Sequence, residues 1–253
     1  MNVLVSAAAR AGPGPAAPVI RVLGGLSLVV AGRIVAVPPG SRRLLAYLAL
    51  HPAGVDRRSA AGVLWPSVSD GRAGGNLRSA LWRLQQVGCA LVRCDPFTLA
   101  LDDAVRVDLQ ELEAWADRVL GGSATAEDLA VAPGPIADLQ LLPGCYDDWV
   151  LALRERLGLR MLHALEELGR LLRAAGRAGA AVEAVQVAVL ADPLRESGQR
   201  ALIEAHQAAG DWAAARRQYD SFRGILRREI GVEPSPELTA VATRRTSVPA
   251  TRV

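Results

Sequence analysis

Read at about 100° per residue, "GGNLRSALWRLQQVG" (Gly74–Gly88) places Leu77, Ala80, Leu81 and Leu84 on one helical face. Asn76, Ser79, Arg83 and Gln86 lie opposite, with Trp82 on the margin. One face therefore needs a core, while the other carries amides, a hydroxyl and an arginine but no carboxylate. Upstream, "VIRVLGGLSLVVAGRIVAV" (Val19–Val37) gives three short β-rich runs broken at Gly24-Gly25 and Ala31-Gly32, the pattern of an antiparallel meander. "PPGSRRLLAYLALHP" predicts a helix with Ser41 as N-cap, Leu44, Leu45, Leu48 and Leu50 as its apolar positions, and Pro52 as its stop. "DRRSAAGVLWP" predicts a second helix capped by Asp56, with Ala60, Val63 and Leu64 apolar and Pro66 beyond its end.

A loop over Ser67–Gly75 then leads into the helix first described. Beyond Gly88, "CALVRCDPFTLAL" predicts two strands paired about Asp95-Pro96. A three-stranded meander, three helices and a terminal hairpin form a winged helix-turn-helix with an N-terminal sheet. In that motif the later helix lies in the DNA major groove and turns its polar face to base edges.

From Val107 onward the pattern is helical. "VDLQELEAWADRVL" runs to Leu120, a long helix begins near Tyr146 and carries apolar positions to Leu172, and four further helical patterns follow. "AAGRAGAA" (Ala174–Ala181) matches "AAGDWAAA" (Ala208–Ala215) at an offset of 34 residues, which is the tetratricopeptide period. Gly176 and Gly210 suit helix-terminating turns, and small residues at 180, 181, 214 and 215 permit close helix pairing. "ADP" (Ala191–Pro193) separates two helices, and "EPSPEL" from Glu233 opens a final one. The expected fold class is mainly α with a small β component: a flexible leader at 1–18, a winged helix at 19–107, an all-α tetratricopeptide-like domain at 108–243 and a flexible tail at 244–253.

Charge sharpens this division. Residues 18–107 contain eleven Arg against five acids, a net of +6, whereas 108–243 contain fourteen Arg against twenty-one acids, a net of −7. A basic module joined to an acidic one implies that the first faces a polyanion. The chain has no lysine, which excludes a Walker A lysine and any Schiff-base lysine. "GRAGG" (Gly71–Gly75) therefore reads as a flexible approach to a helix whose N-terminal amides can meet backbone phosphate.

Cys89, Cys94 and Cys145 have no paired CxxC spacing and read as reduced thiols. His51, His163 and His206 are widely separated, so no metal site or cofactor is expected. The Ala-rich N-terminus lacks the basic region of a signal peptide, and no apolar run is long enough to cross a bilayer, so a cytoplasmic, nucleoid-associated chain is expected. No nucleophile–base pair, metal cluster or carboxylate dyad has the spacing that catalysis requires.

Four residues are candidates for base contact: Arg83, whose guanidinium can pair bidentately with guanine O6 and N7, and Asn76, Ser79 and Gln86 on the same stripe. Arg72, Arg78 and Arg93 are candidates for phosphate contact. Trp82 reads either as half-buried packing at the helix margin or as a sugar–phosphate contact. Trp65 reads as core. A different class of function stays open, in which the winged helix serves dimerisation or docking and the helical repeat binds a protein partner.

These segments carry a family likeness. "LLAYLALHPAGVDRRSAAGVLWP" and "NLRSALWRLQQVG" in the first module, with "YDDWVLALRERL" and "AVLADPLRESGQRALIEAHQAAGDWAAARRQYDSFRGILRREIGVEPSPEL" in the second, resemble the Streptomyces antibiotic regulatory protein family. That family joins an OmpR-like winged helix to a bacterial transcriptional activation domain of tetratricopeptide type. The resemblance covers about residues 19–243. It implies a transcriptional activator that binds direct repeats in double-stranded DNA near a promoter, as a homodimer or pair of protomers, contacts RNA polymerase holoenzyme and switches on secondary-metabolite (antibiotic) gene clusters. In one departure from the family pattern, Gln85 and Gln86 stand where this helix is often richer in Arg.

Overall fold

The computed structural model describes residues 17–131 and 140–243; the leader before residue 17 and the tail from residue 244 lie outside them. The chain divides into two units, Met1–Ala114 with Leu139–Arg154, and Trp115–Asp138 with Glu155–Val253.

The first unit opens with the expected meander: β1 (Val19–Arg21), β2 (Ser27–Val30) and β3 (Arg33–Val35), antiparallel throughout. Ala31 and Gly32 both take positive φ, 50° and 75°, as a two-residue hairpin turn with right-handed strand twist requires. A fourth strand, β7 (Arg106–Val107), pairs parallel to β1 and completes the order β3-β2-β1-β7. Val107 therefore belongs to a strand and not to the helix predicted to begin there. Helix α4 (Asp108–Leu120) follows directly. The buried Asp108 carboxylate accepts from the backbone N–H of Val22 (2.9 Å) and Leu23 (3.2 Å), fixing the start of α4 to the end of β1.

Three helices follow the meander: α1 (Pro39–Ala49), α2 (Arg57–Leu64) and α3 (Asp70–Gln85). Pro39 occupies the first turn of α1, where its missing N–H costs nothing, so the helix starts two residues before the expected cap. Ser41 is thus inside the helix, fully buried, and its hydroxyl donates to the Ala80 carbonyl of α3 at 2.9 Å. Asp56 caps α2 as expected, accepting from Ser59 N at 2.8 Å. Trp65, expected in the core, is only half-buried because the chain turns outward beyond Leu64.

The hairpin β5 (Val92–Cys94) and β6 (Thr98–Leu101) pairs as predicted, and Asp95 Oδ1 accepts from Phe97 N and Thr98 N, each at 2.7 Å, to close the turn. A two-residue strand, β4 (Val55–Asp56), joins β6 from the other side, giving the order β4-β6-β5. Residues 140–154 also belong to this unit. Leu142 N donates to Val22 O at 2.8 Å, the Arg43 guanidinium pairs with Asp147, and Trp149 meets Tyr47 edge-on at 5.1 Å.

The second unit is helical, with α5 (Asp148–Ala174), whose first residues belong to the first unit, then α6 (Ala178–Ala191), α7 (Glu196–Ala208), α8 (Trp212–Glu229) and α9 (Pro236–Thr243). Gly176 and Gly210 take φ of 72° and 77°, and the residues after them donate back to Leu172 O and His206 O, ending α5 and α7 alike. The 34-residue repeat is therefore one helical hairpin, and Ala181 and Ala215, at matching positions, are both buried. Helix α7 is packed on two sides, through Leu202 against Val185 and Val189, and through Ile203 against Phe222 and Leu238.

Ahead of the repeats, buried Trp115 donates its indole N–H to Asp128 O at 3.2 Å. The Asp128 carboxylate accepts from Arg118 Nη2 (2.7 Å), Thr125 N and Thr125 Oγ1 (both 2.9 Å). The Arg118 hydrogen bond, opposed by burial and aided by Thr125, holds this carboxyl at about 2, below its ordinary 3.8. A depressed folded value means the carboxylate contributes stability that is complete above pH 3.8 and lost as pH falls through about 2. Asp128→Asn should therefore lower the stability of this unit by about 1–3 kcal/mol at neutral pH and remove that acid-dependent component, as checked by urea unfolding between pH 2 and 7.

Candidate nucleic-acid interface

Helix α3 is set by its apolar stripe. Ala73, Leu77, Ala80, Leu81 and Leu84 are all at most 8% exposed, and α3 packs on α1 and α2. The stripe reaches back to Ala73, so the helix begins at Asp70 and the expected loop shrinks to Ser67–Ser69. Gly71–Gly75 is thus helical and not a flexible approach. Three glycines there cost roughly 1 kcal/mol each in helix propensity, and burial of the stripe overrides that cost.

The remaining surface of α3 points outward. Arg72, Arg78, Ser79, Trp82, Arg83 and Gln86 are exposed and Asn76 is half-buried, with Gln86 as the C-cap residue. No carboxylate stands on this face between Arg72 and Gln86. Trp82 is 62% exposed: with the core stripe centred near Leu77 and Leu84, its side chain falls near the middle of the outward face, which overturns the reading of it as half-buried packing. Gly74 and Gly75 leave the helix surface low, and the Arg78 guanidinium folds back to within 4 Å of where their side chains would begin. The Arg83 guanidinium reaches across to α1, where a Cβ on Gly40 would collide with it.

A cleft of about 530 Å³ separates α2 from the N-terminal half of α3 and the tip of the hairpin, with Arg57, Arg58 and Arg78 on its walls, Asp70 as its one acid, and Pro96 at its rim. Arg57 and Arg58 are not among the contacts expected from the helical pattern of α3. Their signal was present, since they immediately follow the Asp56 cap and so occupy the first turn of the helix before α3.

The hairpin differs in character. Arg93 pairs with Asp103, both exposed, so its charge is already partnered. Asp95, Asp102 and Asp103 outnumber it, and Phe97 stands 75% exposed at the tip. Burial pushes the Cys89 thiol up from its ordinary value, and all three cysteines are free. His51 Nδ1 lies 2.7 Å from the Tyr47 carbonyl, so its ring is engaged at the C-terminal end of α1, just beyond Ala49. No helix among the described residues is long and apolar enough to cross a membrane.

The first unit is a winged helix-turn-helix presenting α3, and the second is a tetratricopeptide-like array. Residues 135–244 match the family described as the bacterial transcriptional activator domain. A solved structure of Mycobacterium tuberculosis EmbR, in complex with a low-affinity phosphopeptide, has the same fold at a TM-score of 0.64 and 21% identity, over 89% of this chain. This chain spans 64% of that one. No curated protein matches. The domain match and the shared fold bear out the resemblance to the Streptomyces antibiotic regulatory protein family.

These environments separate stability from function on one helix. Leu84→Ala should cost about 2–5 kcal/mol, whereas Trp82→Ala should change stability by no more than about 0.5 kcal/mol, both read from urea midpoints. Gly40→Ala should likewise leave the midpoint nearly unchanged, because only the flexible end of Arg83 has to move.

Proposed function

We propose that this protein is a sequence-specific DNA-binding transcriptional activator. The carboxylate-free outward face of α3, fixed by its buried opposite face, is the observation that carries the reading. In this arrangement α3 lies in the major groove with Asn76, Ser79, Arg83 and Gln86 toward base edges. Arg72, Arg78 and Trp82 meet the sugar–phosphate backbone, as does Arg93 once it exchanges Asp103 for phosphate. Arg57 and Arg58 join them from the cleft beside α3.

The family resemblance supports the finer parts of the reading. The operator is a direct repeat occupied by a pair of protomers, the acidic second unit engages RNA polymerase, and the target is a secondary-metabolite gene cluster. The site of action is the cytoplasmic nucleoid.

A second reading, in which the winged helix is a dimerisation or docking element, is favoured by the Asp-rich hairpin and its exposed Phe97. Salt dependence separates the two. DNA binding through several arginines should lose affinity with a log–log slope of about −0.9 per phosphate engaged, and a docking role gives no retention of duplex at low salt. In gel shifts of the full chain on duplexes selected from genomic DNA, Arg83→Ala should weaken binding about tenfold and relax the preference at one base pair, consistent with the roughly 1–3 kcal/mol of one bidentate base contact. Unchanged affinity and preference would remove Arg83 from the groove.

A further inference from the structure

In the second unit a groove of about 480 Å³ runs between α5 and α7, the first helices of the two repeats. Such grooves are the extended concave surfaces with which helical repeats bind partners. Its arginines are not equivalent. Arg170 is held bidentately by Glu167 at 2.6 and 2.8 Å, and Arg173 by Glu204 at 2.7 Å. Glu166 is occupied by Arg195 (2.6 Å) and the Ser197 hydroxyl (3.0 Å).

Arg200 is different. Its Nε is buried without a partner, and its Nη2 stands 3.9 Å from Glu196, beyond hydrogen-bond reach. The Glu196 carboxylate is already committed, since it accepts from the Ser235 backbone N–H and hydroxyl at the start of α9. Among the described residues lining the groove, the carboxylates are thus spoken for, while Arg200 is the one guanidinium with no carboxylate within hydrogen-bond distance.

We propose that this groove docks an extended, acidic segment of a protein partner, with a carboxylate of that segment seated on Arg200. A carboxylate supplies the charge-assisted acceptor that a guanidinium fork matches, and half-exposed Leu120, with Ala201, offers apolar contact beside it. A basic segment has no free carboxylate here to meet. The proposal deepens the activator reading by giving the chemistry of the second unit's partner, and it rests on that reading only for the biological setting.

The test is fluorescence anisotropy with the full chain and two labelled peptides, one alternating Asp and Leu, the other carrying Asn in place of Asp. The Asp peptide should bind at least tenfold more tightly than the Asn peptide. Arg200→Gln should abolish that difference and Arg200→Lys restore part of it, with both variants keeping the parent's circular dichroism and its gel shift on operator duplex. Equal binding of the two peptides, binding of neither, or undiminished discrimination by Arg200→Gln would overturn the proposal. Because the gel shift reads the first unit alone, loss of DNA binding in the parent chain would instead count against the activator reading.

Discussion

Burial of one stripe of α3 is the constraint on which the rest depends. Leu77, Ala80, Leu81 and Leu84 are removed from water by α1 and α2, and at roughly 25 cal/mol per Å² of apolar surface that burial outweighs the glycine-rich start of the helix. The Ser41 hydroxyl, bonded to the Ala80 carbonyl, adds direction to what would otherwise be a greasy contact. Once that face is fixed, helical geometry leaves no freedom over what the opposite face presents. The arginines, Ser79 and Trp82 are outward because the leucines are inward.

The same logic organises the second unit differently. Ala181 and Ala215 are buried at matching positions of the two hairpins, and α7 is packed on both sides. Most charges along the inner groove are paired, Arg170 with Glu167 within α5, and Arg173 with Glu204 and Arg195 with Glu166 between elements. A partner is selected by what is left over, which is a single guanidinium.

Much of this was legible in the chain itself. The 3.6-residue period found all three helices of the first unit, the Asp95-Pro96 punctuation found the hairpin, and the 34-residue offset found the repeat. What escaped was structure without a period. Strands β4 and β7 are two residues long, too short to alternate, and exist only because a partner strand offers hydrogen bonds. Ser41 resembled a cap because Pro39 could not be known to start the helix two residues sooner. The helical Gly71–Gly75 segment was hidden because propensity argued one way and the burial of Ala73 the other. Trp82, read as marginal, lies about 140° from Leu77 and about 160° from Leu84 at about 100° per residue, so its exposure was already implied by the helical period. The cleft with Arg57 and Arg58 is a tertiary feature, made by two helices and a hairpin distant in sequence.

The most direct test of the central claim is photo-crosslinking from α3 itself. A benzophenone amino acid replacing Ser79, at the centre of the outward face, should crosslink to bases of a selected operator duplex, with yield falling steeply as salt is raised. The same group replacing exposed Glu229 in the second unit should give none. A chain that shifts the duplex in a gel yet yields no crosslink from position 79 would contradict the account.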